Sequence, residues 1–488
     1  MIQIGWLDRA LVVLYGVSMI AIGVLLAGRI RTFDQFLVAG RRMSAPLLVC
    51  TLVSTYYGLG VLLAGSEISY ESGVVNWLFD TAPAYGMTLL TALLLARKIR
   101  LRGDFRSVPD IVAAHYGLPA RLCAAFASFV YSLPAFSIMG MGGMFRLLFG
   151  IPFEWGLVLG SAIALLYTVL GGLMAEALTD AVQFVLMAVT LAMAAWIGLP
   201  LVGGVAEMER VLPQHFHPTG TRPLALLVVY SLTSLSVLIE PAFYQRVFAA
   251  VSYRAVIVAM AVGVLLWMAY DWVVTMLGIG AHVAVLQGLI AEPDTLESAV
   301  TDFVMHVLPV GLKGLFAAGL LATAMSTIDT YLLISASNLV YDIWHPLRGR
   351  RLDDAALVRW TRVTMLVSTV ANIGVCLYFR NVERLWIFIT AILICTSLVP
   401  VLAAFYWPRV KRRAGLWASA TGLALVLVYY AWVDLMGEWV EEEAAYVWSG
   451  TVLSRPLRLN QDYGILYILP VVLAVFLAAQ LLPGGERR

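Results

Sequence analysis

The sequence predicts an all-α polytopic membrane protein with about thirteen transmembrane helices. Three observations predict it. First, 61% of the 488 residues are hydrophobic, 13% are charged, and mean hydropathy is +0.88, whereas a soluble chain is nearer ~45–50% apolar and ~25% charged. Second, the apolar residues fall into runs that reach the ~20 residues a spanning helix needs, without the alternation of a strand-rich barrel. Third, Lys and Arg gather in alternate loops, as the positive-inside rule requires of a chain that crosses repeatedly.

The runs place segments 1 to 13 at 7–28, 45–70, 77–96, 119–148, 155–173, 178–200, 223–244, 255–290, 311–343, 362–379, 385–406, 415–434 and 463–483. The loops after segments 1, 3 and 7 hold Arg29, Arg31, Arg41 and Arg42; Arg97, Lys98, Arg100, Arg102 and Arg106; and Arg246 and Arg254. Those after segments 9 and 11 hold Arg348, Arg350, Arg351, Arg359 and Arg362; and Arg409, Lys411, Arg412 and Arg413. Arg487 and Arg488 end the chain. The opposite loops hold Arg210, Arg222, Arg380, Arg384, Arg455 and Arg458. This asymmetry puts the N-terminus outside and the C-terminus in the cytoplasm of an inner or plasma membrane. The largest outer loop, Leu435 to Asp462, carries Glu438, Glu441, Glu442 and Glu443 and reads as a solvated acidic face.

Composition also excludes some classes. Cys50, Cys123, Cys376 and Cys395 lie in apolar runs without a C-x-x-C and read as inert buried thiols. The first apolar run has no Lys/Arg-rich leader before it, so no cleavable signal is expected. No nucleotide-binding motif occurs, and no soluble stretch is long enough for an enzymatic domain. The expected partners are the lipid bilayer, a small solute and an ion, not nucleic acid, and both a monomer and a homo-oligomer are compatible with the sequence.

Segment 9 is the most informative. Its middle carries Thr323, Ser326, Thr327, Asp329 and Thr330. On a helix, positions 323, 326, 327 and 330 share one face and 329 flanks it. A hydroxyl and carboxylate face at membrane depth needs something polar against it, and a hard cation held by oxygen ligands is one such thing. Neutral hydroxyls and carbonyls suit a monovalent ion released each cycle. Local bonding of Ser326 and Thr327 to carbonyls one turn back is the alternative. Segment 2 contains Ser54-Thr55-Tyr56-Tyr57-Gly58-Leu59-Gly60, where a helix can unwind. Segment 7 is interrupted at Glu240-Pro241. Two broken segments five apart fit a pair of five-helix inverted repeats. Between segments 5 and 6, Gly171-Gly172 suits a tight turn, and Asp180 and Gln183 follow at i, i+3. A cap-like role for Thr179 or Asp180 is the plainer reading there.

The run Tyr167 to Gln183 resembles the signature Y-T-x-x-G-G-L-x-A-x-x-x-T-D-x-x-Q of the sodium/solute symporter family at every fixed position. Pro241-x-x-x-Gln245-Arg246 and A-x-M-S-T-x-D-T near Met325 are similar to two further motifs of that family. The resemblance runs from about Ala39 to Pro408. It implies a LeuT-like core of two five-helix inverted repeats, segments 2–6 and 7–11, plus three extra helices. The chain then divides into residues 1–44 (first helix and inner loop), 45–200 (first repeat), 201–222 (outer loop), 223–408 (second repeat) and 409–488 (two C-terminal helices).

The resemblance also implies one or two sodium sites. The first would take the carbonyls of Ser54, Tyr57 and Thr323 with the hydroxyls of Ser326 and Thr327. The second, present in some members, would take Asp180 with Ser326, Asp329 and Thr330. On the solute side, Asp80 resembles a segment-3 acid that contacts solute in sugar-transporting members, whereas Val61 replaces a polar residue they use. Tyr56, Trp77, Asp80 and Glu240 are the candidate solute contacts, since aromatic faces with carboxylates suit a cationic headgroup. The expectation is therefore a sodium-coupled importer of a small organic solute: a cationic amine, an amino acid or a choline-like molecule. Proton coupling, and a transporter-shaped sensor that signals to a separate partner, are the alternatives.

Overall fold

The computed structural model describes residues 5–26, 32–101, 105–293, 295–349, 352–379, 382–440, 445–452 and 455–483. Arg29, Arg31, Arg102, Arg350, Arg351, Arg380, Glu441 to Glu443, Arg487 and Arg488 lie outside them. Among the described residues, ten helices are long and apolar enough to cross a membrane, and one bent pair adds an eleventh span. Helix α1 (Trp6–Leu26) and the shorter apolar helix Phe153–Leu166 make this compatible with about thirteen.

The bent pair is segment 2. Helix α2 (Ala45–Tyr56) and helix α3 (Leu59–Ser72) meet at 52° across Tyr57-Gly58. Gly58 is extended there (φ −69°, ψ 165°), a conformation open to any residue. Glycine is required for another reason: a Cβ at this position would run into the Thr327 side chain. The chain then continues as α4 (Asn76–Ile99), a short, mostly buried helix Val108–Tyr116, and α5 (Leu118–Arg146).

Helical hydrogen bonding runs from Phe153 to Leu201, but Gly172 turns the chain with φ 56° and ψ 176°. Only glycine adopts that conformation readily. It separates α6 (Phe153–Leu166) from α7 (Gly172–Leu201). Asp180 is therefore about two turns inside α7, at 3.6 residues per turn, and does not cap it.

Segment 7 breaks where Glu240-Pro241 predicts. Helix α8 (Leu224–Thr233) tightens to a 3₁₀ turn at Ser234–Ile239, and α9 (Pro241–Ala249) starts afresh. Proline at the first helical position costs no hydrogen bond. The Glu240 carboxylate accepts from Phe243 N at 2.5 Å and caps the new helix. Arg246, expected in the loop after segment 7, instead lies within α9 and is 1% exposed. The uninterrupted α10 (Tyr253–Leu286) follows.

Segment 9 is α11 (Leu312–Ser337), extended by a π-helical stretch Asn338–Trp344. It is the central post of the molecule: 89% of its most apolar window is buried, against 28% for α7. Its start is held by α1. Asp8 Oδ1 accepts from Gly311 N and Gly314 N at 2.7 Å each, and Oδ2 accepts from Gly5 N at 2.8 Å. This satisfies two of the four N–H groups that a helix start leaves open. At the far end, Arg121 of α5 pairs with Asp342 at 2.8 Å and Asp110 at 3.0 Å, so it is committed away from the site.

Helices α12 (Asp354–Phe379), α13 (Arg384–Tyr406), α14 (Arg412–Met436) and α15 (Gly464–Leu481) complete the helical part. The loop expected as a solvated acidic face contains an antiparallel sheet of β1 (Glu438–Val440), β2 (Ala445–Val452) and β3 (Arg455–Asn460), in the order β1-β2-β3. Val447 pairs with both Glu438 and Asn460. Trp448 packs on Trp432 of α14, and the Arg384 guanidinium lies over Trp439 and Tyr446. The β-branched and aromatic run Tyr446-Val447-Trp448 was the available signal.

Removing the Asp8 carboxylate leaves two helix-start N–H groups of α11 without their acceptor. Asp8→Ala should destabilise the detergent-solubilised protein by about 1–2 kcal/mol, and Asp8→Asn by less. Thermal unfolding of the two variants beside wild type checks this.

Candidate ion and solute site

The break in segment 2 leaves backbone carbonyls without helical partners at membrane depth, where each must find one. Two hydroxyls of α11 supply them. Ser326 Oγ donates to the Ser54 carbonyl at 2.8 Å, and Thr327 Oγ1 donates to the Thr55 carbonyl at 3.1 Å. Both hydroxyls also lie near the Thr323 carbonyl, at 3.1 and 3.3 Å. Local bonding one turn back is therefore present, but the cross-helix contacts are as short or shorter. Ser54, Thr323, Ser326 and Thr327 come together as the sequence predicts, and Tyr57 sits at the break itself. The Thr55 carbonyl is an addition to that set. The gathered atoms are neutral oxygens from two elements, a donor set that fits a monovalent hard cation.

A charged cluster lies beside this crossing. Asp180 is fully buried; its Oδ2 accepts from Thr51 Oγ1 at 2.5 Å and lies 3.4 Å from Thr55 Oγ1, while Oδ1 has no hydrogen-bond donor among the described residues. Glu176, one turn earlier on α7, pairs with Arg246 Nη2 at 2.8 Å and accepts from Thr330 Oγ1. The same Nη2 reaches Thr51 Oγ1 at 3.0 Å and Thr55 and Thr330 Oγ1 at 2.7 Å each. It is 4.0 Å from Asp180. Thr330 thus joins Asp180 through Thr55, with the two hydroxyls 3.2 Å apart. Asp329 Oδ1 accepts from the Thr330 amide at 3.0 Å. One guanidinium nitrogen therefore sits among oxygens from α2, α7 and α11, beside the residues expected to hold a second cation. Thr51, Thr55, Glu176 and Arg246 were not singled out as site residues from sequence. The signal for Glu176 and Arg246 was weak, since each lies within a motif whose neighbours draw the attention.

On the other side of the break is a cavity of about 130 Å³. Tyr56, Tyr57, Gly58 and Thr327 line it, so it shares a wall with the crossing. Asp80 of α4 and Asp271 of α10 also line it, as does Val61. Tyr85 OH donates to the Asp271 carboxylate. Of the four candidate solute contacts, Tyr56 and Asp80 reach the cavity. Trp77 instead donates from Nε1 to the Met268 carbonyl at 3.3 Å and packs edge-on against Trp272. Glu240 is occupied as the α9 cap and accepts from Tyr331 OH at 2.9 Å.

Comparison with known proteins bears on the family and the fold. The profile of the sodium:solute symporter family matches residues 36–422. The osmoregulated proline transporter OpuE of Bacillus subtilis is 24% identical over 441 residues, covering 85% of this chain and 87% of its own. The sodium/pantothenate symporter of Escherichia coli is 25% identical over 442 residues, covering 86% and 88%. Among solved structures, a Na⁺-coupled sialic acid symporter superposes with a TM-score of 0.81 at 16% identity, covering 100% of both chains. The nucleobase-cation-symport-1 transporter MHP1 gives 0.56 at 14% identity, covering 91% of this chain and 94% of its own. These likenesses show a shared LeuT-like helical fold. With a profile match across most of its length and motifs that meet at one crossing, the chain belongs to the sodium:solute symporter family.

Proposed function

We propose that the protein is a sodium-coupled secondary symporter that imports a small organic solute by alternating access. The observation that carries this is the crossing: Ser326 and Thr327 of α11 reach the carbonyls of the segment 2 break, beside a cavity that shares Tyr57, Gly58 and Thr327. A sodium ion takes the carbonyl oxygens of Ser54, Tyr57 and Thr323 and the hydroxyls of Ser326 and Thr327. It ties the break to α11 and so fixes the cavity wall that meets solute. The ion shifts the equilibrium between conformations only by its differential affinity for them, and its coupling to solute is reciprocal. The solute is a cationic amine, an amino acid or a choline-like molecule. The chain lies in the inner or plasma membrane, N-terminus outside and C-terminus in the cytoplasm, with repeats at 45–200 and 223–408.

A second cation site at Asp180, Asp329 and Thr330 belongs to this proposal, with Arg246 as its neighbour. One observation favours a second reading. Among the described residues Asp180 Oδ1 is buried without a hydrogen-bond donor, and its carboxylate is only within 4.0 Å of the Arg246 guanidinium, which Glu176 already holds; a buried carboxylate needs a cation or a proton. A proton on Asp180 would give proton coupling instead.

The test is uptake into proteoliposomes from a panel of labelled amines, amino acids and choline. A sodium gradient should drive accumulation; accumulation that ignores sodium and follows a proton gradient would replace this reading with the second. Ser326→Ala and Thr327→Ala should each raise the sodium concentration for half-maximal uptake about tenfold, the equivalent of ~1.4 kcal/mol. Gly58→Ala should weaken sodium further, because its Cβ displaces the Thr327 side chain. Arg246→Ala should destabilise the protein by about 3–5 kcal/mol, since it strands Glu176 as a buried charge. Adding Glu176→Gln should recover a measurable part of that loss in thermal unfolding.

A further inference from the structure

The last turn of α3 is completed by side chains from elsewhere in the chain. A helix end leaves its final carbonyls without N–H partners. Ser69 O finds one in Gly73 N at 3.0 Å, but Val74 N, next in register for Tyr70 O, donates instead to His215 O at 2.8 Å. Two imidazoles take its place: His215 Nε2 lies 2.9 Å and His282 Nδ1 2.7 Å from the Tyr70 carbonyl. A carbonyl only accepts, so each of these nitrogens carries a proton. The two ring centroids are 5.1 Å apart, edge to face, and His282 stacks on the Tyr70 ring at 4.5 Å. His215 comes from the 3₁₀ turn Pro213–Phe216, in the stretch that connects α7 to α8, and His282 from α10. One carbonyl thus joins α3, α10 and the connecting stretch. That stretch grips α3 again nearby. Arg222 pairs with Glu71 at 2.5 Å and donates to Ser72 Oγ at 3.0 Å, and Gly73 (φ 68°) leaves no room for a Cβ against His215 O.

A proton would undo this. His215 is 5% exposed, and its Nδ1 has no hydrogen-bond partner among the described residues. Protonation there adds a charge and a buried donor with nothing to receive it. The charged and titratable groups on the elements around the pair are Glu67 and Glu71 of α3, Glu207, Glu209 and Arg210 of the helix Gly204–Val211, Glu292 and Glu297 after α10, Asp302 and His306 of the helix Ala299–Val307, and His217 and Arg222 of the connecting stretch. Among the described residues no carboxylate is bonded to either ring. Glu71 is held by Arg222, Glu207 by Arg210, and Asp302 accepts from Ser298. Burial first, and the charge of His282 with it, lower the His215 pKa from its ordinary value of about 6.5, while the bond to Tyr70 O opposes the shift. The packed arrangement is therefore intact at neutral pH and loses stability as the pH falls below about 6.5.

We propose that His215 and His282 are an acid-released latch on the end of α3: as neutral rings they tie it to α10 and the connecting stretch, and as cations they repel one another and free it. α3 carries Gly60, Val61 and Ala64 of the cavity wall, and α10 carries Trp267 and Asp271. Release at this end loosens the wall that receives solute. In the orientation proposed above this end faces outside, so acid outside slows uptake. That consequence rests on the symporter reading; the latch itself does not.

The latch is tested without sodium or solute, by hydrogen exchange of the purified full chain at about pH 7.5 and about pH 5, each rate divided by that of the unstructured chain at the same pH. Protection at residues 70–76 and 213–222 should fall about tenfold or more in acid. His215→Gln and His282→Asn keep a side-chain N–H near the Tyr70 carbonyl but take up no proton. Each should hold its protection at both pH values, and either one suffices if the other does not fold. Protection that acid leaves unchanged in wild type, or lowers as much in the variants, overturns the proposal. In proteoliposomes under a sodium gradient, acid outside should slow uptake by wild type more than by the variants; equal slowing in all of them overturns the latch's part in transport. A chain that takes up nothing from the panel under that gradient sinks the symporter reading and leaves the exchange result standing.

Discussion

A helix broken inside a membrane must have its freed backbone groups satisfied by protein, because hydrocarbon offers nothing. In this molecule that requirement falls on two hydroxyls. Ser326 and Thr327 serve the carbonyls of Ser54 and Thr55, and the break in segment 2 is tenable because α11 is there. The dependence runs both ways. α11 can carry a polar face through its buried middle because the break supplies acceptors. Gly58 has no side chain because the Thr327 side chain sits where a Cβ would be. Asp8 fixes the start of the same helix, so the post against which the break leans is itself anchored.

The charged cluster and the cavity follow from this crossing. Thr55 belongs to both: its carbonyl meets Thr327, and its hydroxyl meets Arg246 and Thr330. Thr327 likewise touches the Thr55 carbonyl and lines the cavity. A change at the crossing therefore reaches the Glu176–Arg246 pair on one side and the solute wall on the other through single residues. Such short connections are the physical basis on which ion and solute occupancy can bias one another.

Much of this was legible in the sequence. Apolar runs locate the spans, and Gly58, Gly172 and Pro241 mark where helices must break or turn. The hydroxyl face of α11 is plain from its helical spacing. What was not legible depends on tertiary meeting. Arg246 looks like one more loop arginine until α9 turns it inward to Glu176. Asp180 looks like a helix cap until Gly172 shows where α7 begins. Trp77 and Glu240 have the chemistry of solute contacts, but Trp272 and Met268 occupy one, and Phe243 and Tyr331 the other. The outer sheet was hidden because the acidic residues around it outweigh one short run of strand-forming residues, Tyr446 to Trp448.

In the proposed symporter, sodium joins the segment 2 break to the hydroxyl face of α11. Hydrogen exchange, followed peptide by peptide in sodium and in potassium, tests it most directly. Sodium should slow exchange at residues 54–60, where the amides lie in or beside the break, and at 323–330 on α11. Exchange at both stretches that is the same in the two salts, with sodium protection confined to other parts of the chain, would contradict it.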